Sequence, residues 1–184
     1  MASRNSIGMI ELGSIAAGMQ VADAMLKAAD VELILARSIC SGKYMVMVRG
    51  DVAAVESAVN AGAHIGDFSV IDTFVIPNVD EQIFPAIAGT NKVEKMEALG
   101  IIEAFSVTSL LEGADAAAKA ANVTLIEVRL AMALGGKAFA TMTGSVSAVT
   151  AAVEAGAQRI ARKGLLVNKV VIPQPRPELL TEMI

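Results

Sequence analysis

Apolar and polar positions along this chain fall into one series of elements and then into the same series again. The run IGMIEL at residues 7–12 is short and apolar and predicts a strand. Ser14 follows as the N-cap of a helix over about 15–29, with Ile15, Met19, Ala22 and Leu26 along its apolar stripe. VELILARSI at 31–39 predicts a second strand, and KYMVMVRG at 43–50 its antiparallel partner across a Ser-Gly turn. Asp51 opens a second helix, DVAAVESAVNAGA, which Gly62 and its neighbours end. A fourth strand covers Phe68–Ile76 and stops at Pro77, and a short helix follows around 80–88.

The second half repeats this order. At an offset of 92, Gly8 meets Gly100, Glu11 meets Glu103, Ser14 meets Ser106, Asp23 meets Asp115, Lys27 meets Lys119 and Arg37 meets Arg129. The second copy gains two residues in the next loop, where SICSGK faces LAMALGGK. At offset 94 Gly42-Lys43 meets Gly136-Lys137, and Ala61-Gly62-Ala63 meets Ala155-Gly156-Ala157. Such agreement marks a tandem duplication. Each copy reads β-α-β-β-α-β, so the predicted fold is α+β with two tandem ferredoxin-like domains. A weakly periodic stretch, Glu81–Lys95, joins them, which puts the domains at 1–91 and 92–184, with a second short terminal helix around 176–183.

Composition narrows the function classes. Of the 184 residues 54% are hydrophobic, only 3% are aromatic and none is Trp, with a mean hydropathy of +0.58. That excess suits a membrane or a large protein–protein contact. Charges and glycines break every apolar run well short of the roughly 20 residues a spanning helix needs, and the short polar MASRNS does not resemble a cleavable signal. The expectation is a cytoplasmic protein that self-associates through apolar surfaces, with no membrane partner. A net charge of −4 without basic clusters argues against nucleic acid.

Catalytic chemistry finds few candidates, and no catalytic residue is assigned. The one histidine, His64, ends a predicted helix and reads as a cap or surface residue. Glu11 and Glu103 recur, but shared ancestry and a structural hydrogen bond explain recurrence as well as a carboxylate pair does. GGK at 135–137 lacks the spacing of a phosphate-binding loop. The ten methionines scatter through apolar stretches as core filler. Lys27 and Lys119 each follow an aspartate four residues earlier, so an i, i+4 ion pair is the simplest account. One cysteine, Cys40, excludes an internal disulfide framework and sits just before a Gly-Lys pair.

The blocks ADAMLKAADVELILARSICSGKYMVMVRGDVAAVESAVNAGA and ADAAAKAANVTLIEVRLAMALGGKAFATMTGSVSAVTAAVEAGA closely resemble the bacterial microcompartment shell domain. The shared features are a helix-borne lysine before an apolar strand, a small-residue loop ending in Gly-Lys, a further strand, and a helix ending in Ala-Gly-Ala. Both repeats match over nearly their whole length with the strand order unpermuted. The tandem arrangement, with a cysteine in the first loop and a Gly-Gly loop in the second, is similar to the T-type branch found in propanediol-utilisation compartments.

That resemblance implies a flat homotrimeric tile of six domains around a central pore, packed laterally against other shell proteins. It implies pore-lining roles for Ser38, Ile39, Ser41 and Gly42 in the first repeat. In the second repeat the loop is Leu130 to Gly136, with Met132, Ala133, Leu134 and Gly135 as pore-lining residues. Lys27 and Lys119 match the lysines of tile edges. Where related sequences often have Pro-Arg-Pro-His after the last strand, this chain has Pro173-Gln174-Pro175-Arg176. Cys40 becomes a metal ligand: three thiolates around the trimer axis suit a [4Fe–4S] cluster, one per trimer, with the fourth iron on water or another small ligand. Electron transfer across the shell, or cluster delivery to encapsulated redox enzymes, would be the role.

Taken without the resemblance, a lone cysteine is most often a small buried apolar residue. Two other functions stay open at this point. One is a metal-free tile that passes small metabolites through its pore. The other is a trimeric regulator that binds a small effector between subunits.

Overall fold

The computed structural model describes residues 5–91, 93, 95–130 and 135–179. Each repeat folds as its pattern predicts. The first comprises β1 (Ser6–Leu12), α1 (Ile15–Ala28), β2 (Glu32–Ile39), β3 (Lys43–Gly50), α2 (Val52–Gly66) and β4 (Val70–Ile76). After α3 (Ile83–Ala88) the second comprises β5 (Ala98–Ala104), α4 (Val107–Ala120), β6 (Thr124–Arg129), β7 (Ala138–Gly144), α5 (Val146–Ala161) and β8 (Leu166–Pro173). The sheets run β2-β3-β1-β4 and β6-β7-β5-β8, antiparallel throughout. Even their irregularities are duplicated. β2 bulges between Leu33 and Leu35 and β6 between Leu125 and Glu127, at matched positions.

Each sheet buries one face under its two helices. In the first unit Ile10, Leu12, Val46 and Val48 from the sheet meet Val21, Met25, Val55 and Val59 from α1 and α2. Ser14 caps α1 as predicted, its Oγ accepting from the Ala17 N–H at 3.3 Å. Ser106 does the same for α4 with Ser109. Asp51 precedes α2 in extended conformation without a side-chain cap bond, whereas its counterpart Ser145 accepts from Ala148 at 3.2 Å.

Four sequence expectations need correction. The buried stripe of α1 is Gly18, Val21, Ala22 and Met25, while Ile15, Met19 and Leu26 are 41–59% exposed. Gly18 decides this, because only a residue without a side chain lets the Tyr44 ring lie against the helix. α2 does not end at Gly62 but continues to Gly66, since Gly62 serves close packing on Ile10 and Met25. The fourth strand starts at Val70, after a 3₁₀ turn at Asp67–Ser69 that leaves Phe68 98% exposed. Finally, the compact units divide between Val79 and Asp80, not near residue 92. α3 therefore belongs to the second unit, where Gln82 and Asn91 hydrogen-bond the backbone of β6. Of the terminal helix expected around 176–183, Arg176 is not helical, residues 177–179 are, and 180–183 lie outside the described residues. His64 is exposed in the last turn of α2.

Candidate functional site

The β2–β3 hairpin closes through three residues, Cys40–Gly42, because Ile39 and Lys43 are the last cross-strand pair. Ser41 (φ 65°) and Gly42 (φ 72°) both take left-handed backbone, which turns the chain within that short span. A Cβ at Gly42 would meet open space, so glycine serves the backbone angle there and not the packing. Cys40 is half-buried and outside any disulfide; Ser38, Ser41 and Gly42 are exposed. Ile39 is not. At 7% exposure it is buried, on the sheet face it shares with Lys43 and opposite that of Ser38 and Tyr44.

In the second unit the corresponding loop ends in Gly135 (φ 61°) and Gly136 (φ 85°), Gly135 being exposed. Leu130 at its start is buried. Ala131, Met132, Ala133 and Leu134, three of them expected pore-lining positions, lie outside the described residues.

Both loops are anchored by a contact that linear sequence hid. Lys43 Nζ donates to Glu11 Oε1 at 2.7 Å, and Lys137 pairs with Glu103 at 2.7 Å. Glu11 lies opposite Met45, so Lys43 is its diagonal neighbour on the same sheet face. The recurring glutamate and the lysine of the recurring Gly-Lys are thus partners, and matched recurrence of both was the signal available beforehand. Glu11 is 7% exposed, so its carboxylate depends on this ammonium. Lys43→Met is expected to destabilise the first unit by about 2 kcal/mol, and Glu11→Gln in the same chain to recover most of the loss. Urea unfolding of wild type and the two variants checks this.

The lysines of α1 and α4 make the expected i, i+4 pairs, Lys27 with Asp23 at 2.6 Å and Lys119 with Asp115 at 2.7 Å. The first pair is fully open to solvent, whereas Asp115 also accepts the Asp80 N–H at 2.8 Å. The loop arginines differ as well. Arg129 is fixed by Glu127 and lies over the Phe139 ring at 5.4 Å. At Arg37 the matched neighbours are Leu35 and Met45, and the buried Nε finds no hydrogen-bond partner among the described residues. Nor do three His, Cys, Asp or Glu side chains among those residues converge on a metal position within one chain.

Two halves of one plan, each ending a hairpin in a small-residue loop, match the BMC domain twice, over residues 6–79 and 98–175. The chain belongs to the BMC-domain family. It is 42% identical to the bacterial microcompartment shell protein PduT of Citrobacter freundii over 179 residues, covering 97% of each chain. It is 32% identical to the carboxysome assembly protein CcmO of Synechococcus elongatus, covering 97% of this chain and 68% of that one. Among solved structures, a microcompartment protein from Desulfitobacterium hafniense superposes with a TM-score of 0.92 at 49% identity, covering 96% of this chain and 98% of that one. A fused permuted hexameric shell protein, MSM0275, shares the fold alone, at TM-score 0.60 and 21% identity. The protein is thus a structural component of a bacterial microcompartment shell, with tandem, unpermuted BMC domains. No helix among the described residues is long and apolar enough to cross a membrane.

Proposed function

We propose that this shell protein assembles as a homotrimer whose six BMC domains form a flat tile, and that three Cys40 thiolates at the central pore hold one [4Fe–4S] cluster. The observation that carries the proposal is the placement of the only cysteine: it is half-buried on a three-residue hairpin loop. Each chain offers one thiol, so a trimer offers three of one kind, matching three corners of a cubane. The second unit's loop, with Ala131, Met132 and Ala133, adds no competing thiol.

When bound, the cluster supplies one-electron redox chemistry across the shell. Cys40 holds it, and Ser41 and Gly42 are small enough for backbone N–H groups to approach its sulfurs and tune the potential. The Glu11–Lys43 pair fixes the strand that bears the loop. Lys27 and Lys119 serve the tile edges against other shell proteins, and redox enzymes inside the compartment are the electron partners.

Anaerobic purification followed by visible absorption, iron and sulfide analysis, and EPR after reduction tests this on wild type and Cys40→Ala. The expected wild type is brown, with about four irons per three chains. Cys40→Ala loses the iron and keeps its trimer. Wild type that stays iron-free after anaerobic reconstitution overturns the cluster, and leaves Cys40 as a thiol lining a metabolite pore.

A further inference from the structure

The two units share one plan, yet one edge strand is covered and its counterpart is bare. In the second unit α3 lies against β6 and α4. Gln82 grips the strand's backbone: Nε2 donates to the Val123 carbonyl at 3.2 Å, and Oε1 accepts from the Leu125 N–H at 3.0 Å. Asn91 donates to the Leu125 carbonyl at 2.6 Å. Asp115 divides its oxygens, Oδ2 to Lys119 and Oδ1 to the Asp80 N–H. Leu125 and Val128 are accordingly buried, at 0% and 2% exposure.

Among the described residues nothing gives the matching edge, β2, this cover. Leu33 is 40% exposed, and Ile34, Leu35 and Ala36 are all partly open. The Asp23 side chain, equivalent to that of Asp115, is 62% exposed. The chain nevertheless carries a second copy of the covering segment. β4 and β8 are both left through a left-handed residue, Asn78 (φ 51°) and Gln174 (φ 46°). Beyond them, at the same offset of 96, Asp80 meets Arg176, Gln82 meets Glu178, Ile83 meets Leu179 and Phe84 meets Leu180. In its own chain the described part of this second copy faces solvent: Arg176 and Glu178 pair with each other at 2.9 Å with side chains 83% and 70% exposed, and Leu179 is 41% exposed.

We propose that the segment from Arg176 to Leu179 docks on the β2 edge of a second copy of this chain, as the start of α3 covers β6. The inference rests on the self-association proposed above and specifies a contact that holds it. Charge selects the occupant. Where α3 brings Asp80, this segment brings a guanidinium, and the aspartate awaiting it, Asp23, is solvent-exposed and pairs with Lys27 in its own chain. Glu178 stands where Gln82 does and can accept the Leu33 N–H, the bulge at Leu33 being the one at Leu125. Leu179 closes over Leu33 as part of the apolar cover. Each copy gives one segment and takes one, a head-to-tail contact that closes into a ring.

Sedimentation equilibrium on five full-fold proteins tests it: wild type, a chain ending at Pro175, Asp23→Arg, Arg176→Asp, and the double reversal. Far-UV circular dichroism is expected to match in all five, because the altered groups are exposed. Shortening is expected to weaken association at least about tenfold. Each single reversal weakens it by about fivefold and the double reversal recovers it, in keeping with exposed ion-pair strengths repeated around a ring. A shortened chain that associates like wild type overturns the docking while the trimer stands. A double reversal without recovery overturns the placement on Asp23. A monomeric wild type overturns the docking together with the self-association beneath it.

Discussion

Gly18→Leu is expected to destabilise the first unit by at least about 3 kcal/mol, and Tyr44→Ala by about 3–5 kcal/mol, yet the two together by far less than their sum. A Cβ at Gly18 would overlap Cδ1 of Tyr44 and lie 2.5 Å from its Cγ and 2.6 Å from its Cβ. Those are the rigid root of the side chain, which cannot swing aside. Tyr44 itself is 7% exposed, so its removal empties a filled site. The second unit solves the same contact the other way round. At the matched positions it has Leu110 and Ala138, both fully buried. Large and small have exchanged sides, and total volume is kept. The double variant writes the second unit's solution into the first, so a coupling of about 2–3 kcal/mol is expected in the double-mutant cycle. Urea unfolding with amide exchange of α1 and β3 measures it; strictly additive losses would refute the exchange. Because Tyr44 is the second residue of β3, just after the Cys40 loop, the same contact holds that hairpin against α1.

The second large effect separates two glycines that sequence makes equivalent. Gly156→Ala is expected to cost at least about 3 kcal/mol, whereas Gly62→Ala stays within about 1 kcal/mol of wild type, repacking being offset by helix propensity. A Cβ at Gly62 meets Ile10 Cδ1 at 2.6 Å, a side-chain tip, and Met25 Cγ at 2.7 Å, on an unbranched side chain that can change rotamer. At Gly156 it meets the backbone carbonyl oxygen of Gly113 at 2.6 Å. No rotamer relieves that clash, so α4 and α5 must part. Equal melting shifts for the two variants would show that α4 and α5 are free to separate.

What could be read from the sequence was local or duplicated. Alternation of apolar residues gave the strands, Ser14 and Ser106 the helix starts, and Gly42 and Gly136 the hairpin ends, because each depends on neighbours within a few residues. Matched recurrence at offsets 92 and 94 then made the two domains certain, and through them the family. Cys40 was visible as the lone thiol of a turn. Its loop lies where the pattern put it, and Ile39 beside it is buried. The stripe on α1 failed for a plain reason: Ile15, Met19 and Leu26 are apolar without facing their own sheet. Hydrophobic pattern tells which side chains avoid water, and does not say whether their own unit or another surface receives them.

The sequence by itself determined the order of elements, the duplication and the position of the single cysteine, since these follow from short-range chemistry and from comparing the chain with itself. Only the tertiary structure decided which residues meet across the sheet or between helices. It paired Glu11 with Lys43, set Gly18 against Tyr44, assigned α3 to the second unit, and left β2 bare where β6 is covered. Each of these contacts joins residues far apart in the chain. Their partners are chosen by complementary volume and charge once the strands are in register, and no local pattern encodes that choice.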